Sequence, residues 1–298
     1  MIPKDKGDKL VRIYFFTCDK FEELKYYCGR FSNNNQPELA DQEIMTIYLF
    51  VMHQQGHFKV KHIHRFASEY LMSWFPKLGS YQAFNNRLNR LTGAFNRLVE
   101  ILVTDFRPED CCLDQSLLDS MPIITCSGKR SGKEAREIAN KGFCSTKGMY
   151  YYMKLHLLDF LRIGKLPHPD QILFTPASVS DTSVYKQAWS ELEGRVFFGD
   201  KIYSDIDFNS EMIKKYNSEM LTPIKEVKGM FDGIKKRIKA ADDLFSTAVS
   251  RIRQPIEALF NWLIEKADIQ KASKVRSTKG LLVHAFRRLA ATYIIFAI

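Results

Sequence analysis

The chain has 298 residues, 45% of them hydrophobic, which suffices for one large domain or two ordinary ones and argues against a disordered chain. A formal charge of +10 and a pI near 9.2 point to a polyanionic partner, either nucleic acid or an acidic membrane surface. MIPKDKGDKLVRIYFF lacks the apolar stretch of a signal peptide and the apolar tail Leu289 to Ile298 is too short to span a bilayer, so a cytoplasmic protein is expected.

The six cysteines, Cys18, Cys28, Cys111, Cys112, Cys126 and Cys144, form no CxxC pair and read as reduced thiols. His53, His57, His62 and His64 crowd one segment without the spacing of a zinc site and read as core or solvated histidines.

Residues 1 to 107 read as a helical domain. Asp41 is the expected N-cap of a helix that closes near Gly56. A second helix is expected from Val60 to Trp74, stopping near Pro76, and a third from Tyr81 to Leu91 after Ser80. The third displays Asn85, Asn86, Arg87, Asn89 and Arg90, which suits either the second element of a helix-turn-helix or the polar face of a bundle.

From residue 108 to 298 the texture changes. β-rich runs at 111–125, 148–160 and 170–179 precede a helix from about Asp181 to Glu193, a strand from Arg195 to Phe198, a helix after Ser204 running to about Tyr216 and capped by Asp205, a strand at MLTPI and a long helix from Ala241. The order βββαβαβα is that of the RNase H-like α/β fold, a mixed sheet flanked by helices. Two basic clusters, Lys129, Arg130, Lys133, Arg136, Lys141, Lys147 and Lys225, Lys228, Lys235, Lys236, Arg237, Lys239, fall between elements, where they suit a phosphate backbone.

In such a sheet the first and fourth strands are neighbours, and an Asp on each is brought close to the other. A carboxylate from a later helix completes a cluster suited to two Mg²⁺ ions and phosphodiester cleavage. On the first strand Asp114 and Asp119 are five apart and face opposite ways, and Asp119 sits deeper, after Leu117 and Leu118. Pro122 predicts a bulge or the strand's end. In RVFFGDKIYSD the apolar strand ends at Gly199, which is expected to leave room for metal and phosphate before Asp200. Glu257 and Glu265 compete for the third place, and Pro255, expected in a first helical turn, favours Glu257.

LDSMPI (118–123), GDKIYSD (199–205) and RQPIEALFNWL (253–263) resemble the three blocks of insertion-sequence DDE transposases, and ELADQEIMTIYLF with FPKLGSYQAFNNRLNRL is similar to the helical region preceding that core. The separations, 81 positions from Asp119 to Asp200 and 57 from Asp200 to Glu257, suit a core without a large insertion. The resemblance implies Asp119, Asp200 and Glu257 as catalytic ligands of two Mg²⁺ ions, with Mn²⁺ able to substitute. It also implies DNA contacts from Lys154 and His156 of the K-x-H element, from Lys201 and Tyr203, and from Arg253. Ser250 stands where related transposases carry Tyr and Ile264 where they carry Lys, and Lys266 is the expected substitute. Tyr203 reads equally well as a buried aromatic.

The leading expectation is a nucleoid-associated transposase that binds double-stranded DNA at terminal inverted repeats, cuts there and joins the ends to target DNA, working as a homodimer or larger oligomer without a membrane. The alternatives are an RNase H-like nuclease without strand transfer and a catalytically dead DNA-binding derivative.

Overall fold

The computed structural model describes residues 2–29, 37–56, 58–129, 135–144, 148–224, 232–273, 275 and 277–298. The chain forms two compact units: Met1–Arg107, Lys133–Arg136 and Leu263–Ile298 make one, and Pro108–Gly132 with Glu137–Trp262 the other. The expected division after residue 107 coincides with a unit boundary, but residues 263–298 group with the helices and not with the sheet. The reason is packing, since the helix Thr278–Tyr293 buries Leu281, Val283, Leu289 and Tyr293 and contacts helices of the first unit.

The helical unit begins with α1 (Lys4–Leu24), α2 (Asp41–Gln55), α3 (Val60–Tyr70), α4 (Tyr81–Arg90) and α5 (Thr92–Thr104). Every residue of α2 from Ile44 to Met52 is buried, which makes it the unit's central helix. It closes at Gly56 with φ 63°, a left-handed cap that glycine adopts without Cβ strain. Its N-cap is Ala40, one residue before the expected Asp41. The Ala40 amide is satisfied by Glu43 Oε2 at 2.6 Å, while the Asp41 carboxylate accepts from Arg87 Nη2. That pairing bears on the helix-turn-helix reading. Arg87 also donates to the Leu39 carbonyl, so it is spent on holding α4 to the start of α2. The ten-residue connection from 71 to 80 is also longer than the three or four residues of a helix-turn-helix, which favours the bundle reading.

The second unit is a mixed open sheet flanked by helices. Its elements are β1 (Cys112–Ser127), β2 (Asn140–Cys144), β3 (Gly148–Leu161), β4 (His168–Pro176), α6 (Asp181–Val184, continued by a π turn over Tyr185–Trp189), β5 (Val196–Phe198), a 3-10 turn at Lys201–Tyr203, α7 (Ile206–Tyr216), β6 (Glu219–Leu221) and α8 (Asp232–Ala267). The order is β2-β3-β1-β5-β6, with β4 also beside β3. Pairs among β1 to β4 are antiparallel, whereas β1–β5 and β5–β6 are parallel. The first and fourth expected strands are therefore neighbours. Leu118, Leu158, Val184, Tyr185, Trp189, Phe197, Tyr203 and Met220 form a core cluster within this unit.

Three local expectations change. The strand β2 was not anticipated: NKGFC has little strand propensity, and it pairs where Gly142 lets the Tyr152 ring approach, since a Cβ there would sit 2.7 Å from the Tyr152 hydroxyl. Pro122 neither ends nor bulges β1, which runs on to Ser127 with Pro122 opposite Lys154. Strand β5 covers only Gln115 to Leu117, so at Pro122 β1 has an open side where a missing N–H is tolerated. Pro255 lies inside α8, not in its first turn. An interior proline costs about 3 kcal/mol, and the burial of Ile256, Leu259, Phe260 and Leu263 along the same helix offsets it. Among the described residues, no helix is long and apolar enough to cross a membrane.

Candidate active site

The parallel pairing of β1 with β5 sets Leu117 opposite Phe198. Two residues beyond that pair stand Asp119, within β1, and Asp200, just past the end of β5. Asp119 has one quarter of its side chain exposed; its Oδ1 accepts the Ser120 amide at 2.8 Å and its Oδ2 accepts Arg253 Nη1 at 2.7 Å. Arg253, itself only 15% exposed, donates its Nη2 to Glu257 one helical turn further along α8. One guanidinium thus joins two of the three predicted carboxylates. Burial pushes the Asp119 carboxyl up to about 6, against the opposing pull of Arg253 and the Ser120 amide, and Asp181 adds to the rise.

Asp200 is exposed, and its Oδ1 accepts the Lys201 amide at 2.6 Å at the start of the 3-10 turn. Among the described residues, no three His, Cys, Asp or Glu side chains gather closely enough to hold one ion. Asp119 and Glu257 share Arg253, and Asp200 follows two residues after the end of β5, the strand paired with β1.

Beside these groups lies an open groove of about 760 Å³, lined by Lys201, Asp243, Ser250, Arg251, Arg253 and Glu257 among others. Lys201 and Arg253, two of the residues expected to contact DNA, line this groove together with the hydroxyl of Ser250. Asp114 and Glu265, the rejected alternatives, are exposed.

An acid at a helix start also belongs to this neighbourhood. Asp181 Oδ1 accepts from Ser120 Oγ at 2.9 Å and from Lys154 Nζ at 3.0 Å, and it lies 3.6 Å from His156 Nδ1. Its signal in the sequence was an acid just after a strand, the same placement that singled out Asp200. Lys154 also donates to the Val179 carbonyl at 2.9 Å, and His156 pairs with Thr175 Oγ1 at 2.7 Å. Burial lowers the His156 imidazole to about 4, with Lys154 adding to the fall and Asp181 opposing it. The two K-x-H residues are thus engaged inside the fold, on the strand next to Asp119.

Tyr203 does not reach solvent. It is 1% exposed and its ring packs against Tyr185. Burial, with Asp181, Asp119 and Asp200 nearby, holds its hydroxyl well above the ordinary value. The space beside Gly199 is taken by this ring, since a Cβ there would lie 2.7 Å from Tyr203 Cδ2. Lys266 is exposed and falls in the residues that group with the helical unit. Of the basic clusters, Lys129, Arg136, Lys141 and Lys239 are exposed. Arg130, Lys133, Lys147, Lys225 and Lys228, like His57, lie outside the described residues, as do the side chains of Lys235, Lys236 and Arg237. Comparison with protein-family models, curated proteins and solved structures returned no match.

Proposed function

We propose that the chain is a DNA transposase of an insertion sequence, with an RNase H-like core that cuts phosphodiesters at terminal inverted repeats and transfers the strand to target DNA. The observation that carries the reading is that Asp119 and Asp200 each stand two residues beyond the last pair of the adjacent parallel strands β1 and β5, with Glu257 tied to Asp119 through Arg253. What supports the metal is the chemistry of the three acids, hard oxygen donors of the kind Mg²⁺ prefers, and the cationic group that Asp119 and Glu257 already hold between them. Bound to Asp119, Asp200 and Glu257, Mg²⁺ or Mn²⁺ would activate a water or 3′-hydroxyl and neutralise the leaving oxygen.

The protein's own part is positioning and charge. Lys201 and Arg251 in the groove suit phosphate oxygens of the bound strand. The partly buried setting of Asp119 strengthens its interaction with any cation brought there. Asp181 holds the side chain of Ser120 next to Asp119, and the excess of basic residues supplies sequence-independent attraction to DNA.

The test is incubation of the purified protein with a DNA fragment holding its gene and both flanks, in Mg²⁺, followed by mapping of nicks and joined products. Nicks at short inverted repeats with 3′-hydroxyl transfer are expected, and Asp200→Ala is expected to abolish both while DNA binding persists. Wild-type cleavage by Asp200→Ala would sink the assignment, and nicking without joining would turn it to a nuclease.

A further inference from the structure

Arg253 occupies a position that the proposed chemistry does not explain. Its guanidinium spans Asp119 Oδ2 at 2.7 Å and Glu257 Oε1, two carboxylates far apart in sequence and both assigned to the metal. Arginine is permanently charged and its planar fork suits two acceptors at once, so it satisfies this acid pair without any ion. The same side chain lines the groove beside Lys201, Arg251 and Gln254. It therefore has a second place to go, where a DNA phosphate would offer it an anionic partner.

We infer that Arg253 is the resident counter-ion of the site: it holds Asp119 and Glu257 in the free protein, competes with the divalent cation for them, and is released toward the groove when the cation enters. This rests on the metal reading given above and adds a consequence for regulation. Metal loading is weak in the free protein, and a phosphate in the groove favours it by giving the displaced guanidinium a partner. A purely architectural ion pair predicts the opposite response to mutation, because without Arg253 nothing draws Glu257 toward Asp119.

Mn²⁺ binding to the full-length protein without DNA, read from the electron paramagnetic resonance signal of the free ion, separates the two. Arg253→Gln is expected to bind Mn²⁺ about tenfold tighter than wild type, the scale on which neighbours of a metal site shift affinity. Asp119→Asn is expected to remove binding in both backgrounds. Equal or weaker binding by Arg253→Gln, with Asp119→Asn still abolishing it, overturns the counter-ion inference and leaves the metal reading intact. Unchanged Mn²⁺ binding in Asp119→Asn overturns both. If circular dichroism shows that Arg253→Gln does not fold, Arg253→Lys carries the test: one ammonium cannot span both carboxylates, so Mn²⁺ affinity is again expected to rise, and no rise refutes the inference.

Discussion

The pairing of Lys154 with Asp181 gives the sharpest test of how the sheet unit supports its site. The two groups lie 3.0 Å apart with 15% and 17% of their side chains exposed, too enclosed for solvent to screen them fully. Their gross attraction at that distance is about 5 kcal/mol for an effective dielectric near 20. Desolvation opposes most of it, leaving a net contribution of about 1.5–3 kcal/mol for a hydrogen bond between charged groups. Asp181→Ala and Lys154→Met each leave an enclosed partner stranded; among the described residues Lys154 then keeps the Val179 carbonyl, and Asp181 keeps the Ser120 hydroxyl and the nearby His156. Each single substitution is expected to cost about 3 kcal/mol in urea unfolding, and the double substitution to cost less than their sum by about 1.5–3 kcal/mol. A coupling below about 0.5 kcal/mol would refute the argument, since it would mean that the pair is screened like a surface contact.

Two further outcomes follow from buried groups. His284 is 4% exposed, and burial with Arg288 nearby lowers its imidazole to about 3, against the bond of its Nε2 to the Ile269 carbonyl. The folded protein disfavours the protonated ring, so stability is retained above the unfolded value near 6.5 and falls as pH drops below it, by about 2 kcal/mol between pH 6.5 and 5. His284→Gln is expected to remove that part of the pH dependence in chemical denaturation, and an unchanged slope would count against it. Asp159 is fully buried, and among the described residues neither carboxylate oxygen has a partner; burial, then Asp170 and Asp119, hold it well above the ordinary value. Asp159→Leu, close in shape, is expected to stabilise the protein by about 1–3 kcal/mol in the same assay, and a loss of stability would show that the carboxyl has a partner in the folded state.

Much of the site could be read along the chain because strand chemistry is local. The run Val196 to Phe198 before Gly199 and Asp200 defines a buried strand and its end, and Asp205 does cap the next helix, accepting the Phe208 amide at 3.2 Å. Asp181 is not legible along the chain, because nothing local distinguishes an acid at a helix start from one that reaches Lys154 on β3. Tyr203 had two open readings for the same reason, and the packing around Phe197 and Met220 put it in the core.

The sequence by itself determined the α/β alternation, the placement of Asp119 on the first strand and of Asp200 just after a later one, and the apolar stripe of Ile256, Phe260 and Leu263 opposite Glu257, because periodicity and turn chemistry act over a few residues. Only the tertiary structure decided that Pro255 sits within a long helix, that residues 263–298 join the helical unit, and that Arg253 bridges Asp119 and Glu257. Those outcomes depend on which distant apolar faces bury one another and on where a charge finds its partner, and neither is encoded in any short stretch of chain.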